Sequence, residues 1–158
     1  MSFNPLYSLL NTIKNIIFRK IHFPKTKIGK ILVMEDGQEF TIFREVEIDQ
    51  NGELIDCVVF KVRFLVENMK PQDNIRFSWI PILFFVGLPG FQAKVWTLNY
   101  QNGYFQGIYQ WKNYEYAKKY SQSFAYQFMA GRSKEGSVSF EIIPHITLED
   151  YLLTLKSQ

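Results

Sequence analysis

An α+β fold, with helices laid on one face of a four-stranded antiparallel sheet, is what this sequence predicts, and three observations support it. From residue 55 onward the apolar periodicity runs strand, helix, strand, strand, helix, strand. Asp36-Gly37 and Asn102-Gly103 each lie between β-rich runs, the strongest short-range hairpin signal. Between Cys57 and Val66, the residues Val58, Phe60, Val62, Phe64 and Val66 share one strand face, and a surface that apolar must be covered by helices. The composition permits such a core. With 158 residues, 47% hydrophobic and 21% charged, the chain is neither disordered nor dependent on a disulfide or metal staple. An aromatic content of 17% points to a ring-lined core, cavity or interface. Cys57 is the only cysteine, which excludes an intramolecular disulfide and a two-cysteine metal clip.

The chain begins with an amphipathic segment. Leu6, Leu9, Leu10, Ile13, Ile16 and Ile17 recur at spacings of three and four after Asn4-Pro5, which predicts a helix over residues 5–19. Residues 1–30 hold six bases (Lys14, Arg19, Lys20, Lys25, Lys27, Lys30) and no acid, whereas the other 128 residues hold 12 bases and 15 acids. The net charge of +3 therefore hides a basic extension on an ordinary body. The stripe is expected to pack on its own domain or on a second copy, with weak contact of residues 5–20 with an anionic membrane surface as the alternative. A nucleic-acid arm is not expected, because no exposed aromatics interleave the bases. Nor is a signal peptide, since no base precedes the apolar part and Lys14 interrupts it. The longest apolar run, Trp79 to Leu88, has ten residues where roughly 20 are needed to span a bilayer, so a cytoplasmic location is expected.

Residues 20–30, with Pro24 and Gly29, read as a linker. Lys30–Met34 and Glu39–Ile48 then form a hairpin about residues 35–38, so that residues 1–50 make a helix-plus-hairpin extension and residues 51–158 the α+β domain. The strand over residues 57–66 carries Cys57, Val59, Lys61, Arg63 and Leu65 on its second face. Residues 67–78 read as a loop. A short buried helix follows to Val86, with Pro81 in its first turn or kinking it, and Gly87–Gly90 stops it. Phe91–Tyr100 and Tyr104–Trp111 form the second hairpin. Residues 113–130 predict one helix with Tyr116, Ala117, Tyr120, Phe124 and Phe128 on one side, and Ser137–Ile143 a strand ended by Pro144. Thr147 to Asp150 then caps a last helix running to about Leu155. This order is the split β-α-β, ferredoxin-like arrangement. It leaves the second sheet face bare, which predicts a homodimer whose sheets close face to face into an α/β barrel.

Four stretches resemble a known family: Leu88-Pro89-Gly90-Phe91; Lys94-Val95-Trp96-Thr97; Gly107-Ile108-Tyr109-Gln110-Trp111; and Ala117 with Tyr120. They are similar to the YdhR-like monooxygenases of the dimeric α/β-barrel superfamily, over roughly residues 57–145 and most densely between 88 and 120. The resemblance implies a ferredoxin-like subunit, a homodimer and a pocket between sheet and helices. Pockets of this kind oxygenate aromatic polyketides without metal or flavin, degrade haem, or bind small ligands, so function must be argued from the site. Part of the motif has a structural reading too: Pro-Gly-Phe shapes a helix-to-strand turn, and Gly107 allows close backbone approach.

Few residues suit other chemistries. His22 and His145 lie far apart, and no histidine falls within residues 113–130, so Asn68 and Trp96 lack the partner that a haem-degrading Asn–Trp–His set requires. Cys57 opens an apolar strand and reads as buried and inert. Glu35-Asp36 and Glu149-Asp150 sit where turns and caps want acids. No serine elbow, phosphate loop or dinucleotide fingerprint occurs. What remains is an aromatic pocket with polar handles. Arg63 and Tyr109 are the candidate catalytic residues. Trp96, Trp111 and Tyr120 are candidate walls, and Arg76, Lys61 and Lys94 candidate cations for a carboxylate or an enolate. Strand parity puts Lys61 and Arg63 on the face away from the helices, so lining a dimer barrel is the alternative for them. Arg44 joins the site if the N-terminal hairpin folds over it. The expected function is a cofactor-independent monooxygenase, using no metal, that acts on a small aromatic or apolar molecule. A non-catalytic small-ligand binding protein and a membrane-surface-associated module are the alternatives.

Overall fold

The computed structural model describes residues 3–157. Along the chain run α1 (Pro5–Ile17), β1 (Ile21–His22), β2 (Ile31–Val33), β3 (Glu39–Ile48), β4 (Val58–Phe64), α2 (Pro71–Phe77) and α3 (Trp79–Phe85). They are followed by β5 (Phe91–Leu98), β6 (Phe105–Trp111), α4 (Tyr114–Ser121), α5 (Phe124–Gly131), β7 (Ser139–Ile143), α6 (Leu148–Thr154) and β8 (Lys156–Ser157). One antiparallel sheet takes the order β7-β4-β6-β5-β3-β2-β8, with β1 paired to β3. The strands expected from residue 55 onward therefore stand fourth, first, third, second, which is the ferredoxin-like order.

Three local expectations are corrected. Residues 67–78 are not all loop, because Pro71 starts α2 at a position where its missing N–H costs nothing. The single helix over 113–130 is two, since Ser123 leaves the helical path and its hydroxyl accepts from the Tyr126 N–H to begin α5. Residues 20–30 are not wholly linker, because Ile21 and His22 pair with Ile48 and Glu47. Pro81 does fall in the first turn of α3, where a proline is tolerated.

The larger correction concerns the second sheet face. β3 pairs with β5 from Thr41 opposite Leu98 to Glu47 opposite Ala93, and its register slips between Ile42 and Arg44. Such an irregularity bends a strand and increases its twist. β2 and the turn at Glu35-Asp36 lie back across the sheet, so that Lys61 and Arg63 of β4 reach those two carboxylates at 3.0 and 2.5 Å. Leu32, Met34, Phe40 and Ile42 thereby cover Val59, Val95 and Ile108, and α6 adds Leu148, Tyr151, Leu152 and Leu155. The face expected to be bare is a second hydrophobic core closed by the chain's own hairpin and last helix. The first core lies on the other side, where Val58, Phe60, Val62, Trp96, Tyr109 and Trp111 pack beneath the helices.

α1 overturns the expectation that its stripe packs on its own domain. It meets α3 through its polar side: Ser8 Oγ donates to the Phe84 carbonyl, and Asn11 Nδ2 to the Gly87 carbonyl at 2.9 Å. Gly87 is what permits this approach, for a Cβ there would lie 1.9 Å from the Ser8 carbonyl oxygen. Ser8 and Thr12 are the buried residues of the helix. Leu6, Leu10, Ile13 and Ile17 face outward, 64%, 59%, 43% and 71% exposed. Among the described residues no helix is long and apolar enough to cross a membrane.

Candidate functional site: a buried lysine in an aromatic cavity

β5 and β6 place the site. On β5 the alternation sends Ala93 and Val95 toward the second core and Lys94 and Trp96 toward the helices. A lysine on that face requires space, and Gly107, opposite Trp96 on β6, supplies it. A Cβ at Gly107 would come within 2.8 Å of the Tyr109 ring and 3.2 Å of Lys94 Cε. The close approach foreseen for this glycine thus serves two particular side chains.

Lys94 ends in a cage of rings. Its Nζ lies 4.2 Å from the centres of Trp96 and Tyr109 and 4.4 Å from that of Phe85. It donates to Tyr109 Oη at 2.6 Å, and Tyr120 Oη donates to the same oxygen at 2.8 Å. Burial, then the nearby Arg44 charge, push the Lys94 pKa well below the usual lysine value, toward the neutral amine. Burial, then Tyr120, push the Tyr109 phenol well up, so it stays protonated. Behind this pair Trp111 packs against both tyrosines, with ring centres 6.3 and 4.9 Å away.

A cavity of about 60 Å³ opens onto the group. Phe43, Phe85, Trp96 and Phe105 wall it, Asn74 and Ser78 of the α2–α3 corner edge it, and Arg132 stands beside it with its guanidinium 3.7 Å over the Phe77 ring. Among the described residues no carboxylate lines this space. Next to it Arg44 lies 3.8 Å over the Trp79 ring and donates to the Ile75 carbonyl at 3.0 Å and to Ser78 Oγ. Burial lowers its pKa to about 10. The site is thus apolar, lined by rings and positive, with phenol hydroxyls at its floor. Such a place can receive a substrate oxygen as it becomes an oxyanion, and can take up a proton on an amine.

Of the residues expected from sequence, Tyr109, Trp96, Tyr120 and Lys94 come together here, with Trp111 behind them in the core. Arg63 and Lys61 do not join them. They lie on the other face, Arg63 held by Gln106 and Asp36, Lys61 by Glu35, Glu141 and Tyr151. Arg76 is exposed on α2, outside the cavity lining. Arg44 is brought to the site's flank by β3. Asn74, Ser78, Phe43 and Arg132 were not foreseen. Asn74, Ser78 and Arg132 fall in segments that read as loop, and the packing of α2, α3 and α5 aims them inward; Phe43 lies on the expected strand Glu39–Ile48, whose place beside the cavity is set by its pairing with β5. Cys57 is buried away from the cavity, and burial pushes its thiol pKa up.

No family model matches the sequence, and no curated protein matches it. Solved structures do match, through fold. An uncharacterized ferredoxin fold protein related to antibiotic biosynthesis monooxygenases, from Listeria monocytogenes 4b F2365, is similar with a TM-score of 0.53 at 11% identity, over 86% of this chain and 88% of that one. A heme-degrading enzyme from Listeria monocytogenes is similar with a TM-score of 0.53 at 13% identity, over 81% of this chain and 99% of that one. An anthrone oxidase-like protein gives a TM-score of 0.48 at 17% identity over 70% of this chain, which spans 55% of its length. The fold is therefore the ferredoxin-like α+β fold of the monooxygenase-related proteins. The residues present do not fit haem as a substrate here. The cavity is far smaller than a porphyrin, and neither histidine lines it: His22 pairs with Asp49 at 2.7 Å, and His145 is exposed after β7. Asn68 too is exposed, outside the lining.

Proposed function

We propose that the protein is a cofactor-independent monooxygenase of the YdhR-like kind, in which Lys94 removes a proton from an acidic C–H of a small aromatic, otherwise apolar substrate. The observation that carries this reading is the Lys94 amine, enclosed by three rings, bonded to a phenol and, among the described residues, without a carboxylate partner. A lysine so placed costs stability, and such a cost is characteristic of working groups more than of scaffold. Lys94 accepts the proton, and the resulting enolate oxygen takes hydrogen bonds from the Tyr109 hydroxyl and the new ammonium. The carbanion carbon of that enolate then reduces dioxygen and bonds to it. The Lys94 ammonium protonates the resulting peroxide anion to a hydroperoxide, and the amine so restored takes the second C–H proton as C=O forms and the O–O bond breaks, then passes it to the departing hydroxide to give water. The sum converts a CH2 and O2 into C=O and H2O, so dioxygen is the sole oxidant and no outside reductant is needed.

The dimensions limit what enters. A cavity of about 60 Å³ admits dioxygen and the reacting edge of a ring. The rest of the molecule can lie in an open apolar groove of about 530 Å³ that shares Pro81, Ala125 and Phe128 with the cavity and continues along Ile80, Phe84 and Phe124. The test is oxygen consumption with a panel of anthrones, whose ring CH2 is acidic, the protein first treated with chelator. Uptake of one O2 per product is expected, and Lys94→Met and Tyr109→Phe should lower it on the order of a hundredfold or more, with Lys61→Met unchanged. Uptake that Lys94→Met leaves intact would defeat the assignment. A panel member that quenches tryptophan emission without consuming oxygen would instead favour the non-catalytic binding protein, for which the same rings serve as walls.

A further inference from the structure

We infer that α1 and the helical layer beside it form a docking face for an anionic lipid surface. The helix is turned inside out for a domain in water. Its polar residues Ser8, Asn11 and Thr12 bind α3, while Leu6, Leu10, Ile13 and Ile17 are left outside. Periodicity alone leaves open which way an amphipathic helix points. The seat on Gly87 decides it here, because only a small polar side can approach the backbone that closely. Thirteen residues make a rod of about 20 Å, suited to lying in the plane of an interface and far short of spanning one.

Two neighbouring features extend the face. α3 presents Ile80 and Leu83 half-exposed, and α5 presents Phe128. Charge identifies the occupant. Lys14 and Arg19 are exposed at the end of the stripe and Lys20 follows partly buried; among the described residues none of the three is ion-paired, and residues 1–30 contain no acid. A second copy meeting this face through its own α1 would offer these bases no acid from its residues 1–30. Anionic headgroups supply a counter-charge, and the acyl boundary receives the leucine and isoleucine side chains.

Co-sedimentation of the full chain with vesicles tests this. Phosphatidylcholine–phosphatidylglycerol vesicles should pull the protein down, with phosphatidylcholine vesicles doing so much less and added salt releasing it. Leu10→Glu or Ile13→Glu should weaken binding roughly tenfold or more, and Lys14→Gln or Lys20→Gln about fivefold each. The glutamate positions are exposed, so an unchanged thermal midpoint confirms that these variants fold. Wild-type protein left in the supernatant of both vesicle types would overturn the inference, as would equal binding to both that Leu10→Glu does not reduce. A two-chain mass at micromolar concentration that Leu10→Glu reduces to one, without vesicle binding, would overturn it in favour of a second copy.

Discussion

Lys61 and Lys94 stand on the same sheet, one on each face, and their surroundings differ in kind. Lys61 reaches Glu35, Glu141 and the Tyr151 hydroxyl at 3.0, 3.2 and 3.1 Å. Burial alone would lower its pKa, but the bonds to Tyr151 and Glu35 outweigh that and raise it. Lys94 is buried more deeply among rings, and nothing outweighs the burial. The second face thus uses charge as a fastener, tying the hairpin turn, β7 and α6 to β4. On the helix face no carboxylate among the described residues lines the cavity around Lys94, and the core there interlocks through rings such as Phe60 with Tyr109, Tyr120 and Phe140, 5.0–5.9 Å apart. On one face ion pairs fix structure; on the other the amine is left desolvated, the property on which the proposed role of Lys94 rests.

The strongest challenge to this contrast is to ask whether the second face is a core in its own right. Phe40 and Phe60 are both 0% exposed, on opposite sides. Phe40→Ala and Phe60→Ala should each cost about 3–5 kcal/mol in denaturant unfolding. A loss of less than about 1 kcal/mol at Phe40 would mean that the chain alone does not complete that layer.

Next in size is a pair of opposite signs. Lys94→Met should raise the thermal midpoint, by about 2–4 °C for each kcal/mol of burial cost removed. Lys61→Met should lower it, having left Glu35 and Glu141 without their cation. The pH dependence separates the two further. Since the folded pKa of Lys94 lies below the ordinary 10.5, the unfolded chain binds the extra proton, and the wild-type deficit against Lys94→Met closes as pH climbs toward 10.5. The folded pKa of Lys61 lies above 10.5, so its contribution is full below that value and fades only as pH passes the folded one. Thermal melts of the three proteins across alkaline pH would show both trends, and parallel curves would contradict the contrast. Smallest is Tyr120→Phe, which removes one donor to Tyr109 and should cost about 1 kcal/mol of stability. Its sharper signature is an altered pH profile of oxygen uptake.

Much of the architecture was readable residue by residue. The alternation from Val58 to Phe64, the turn at Asn102-Gly103 and the Thr147 cap, whose hydroxyl accepts from the Asp150 N–H at 3.0 Å, are local patterns with local causes. Lys94, Trp96, Tyr109 and Tyr120 all lie in the stretches that carry the family resemblance, and that resemblance is what made them legible as a set. Arg63 was named a candidate for its charge, yet the same period carries it to the other side of β4, where Gln106 and Asp36 hold it. Asn74 and Arg132 left no signal, since their place at the cavity depends on how three short helices stack.

The sequence by itself determined the main strands and helices and which side chains share a face within each, because those follow from hydrogen bonding between near neighbours and from periods of 2 and 3.6 residues, while α2, the break at Ser123 and the short β1 escaped it. Tertiary structure alone decided that the hairpin folds back to shelter the second face, that α1 turns its leucines outward, and that a lysine lies among rings without an acid. Each of these depends on a meeting between residues far apart in the chain: Glu35 with Lys61, Ser8 with Phe84, Lys94 with Tyr109. Periodicity records that a side chain must find a partner; only the packed chain determines which one.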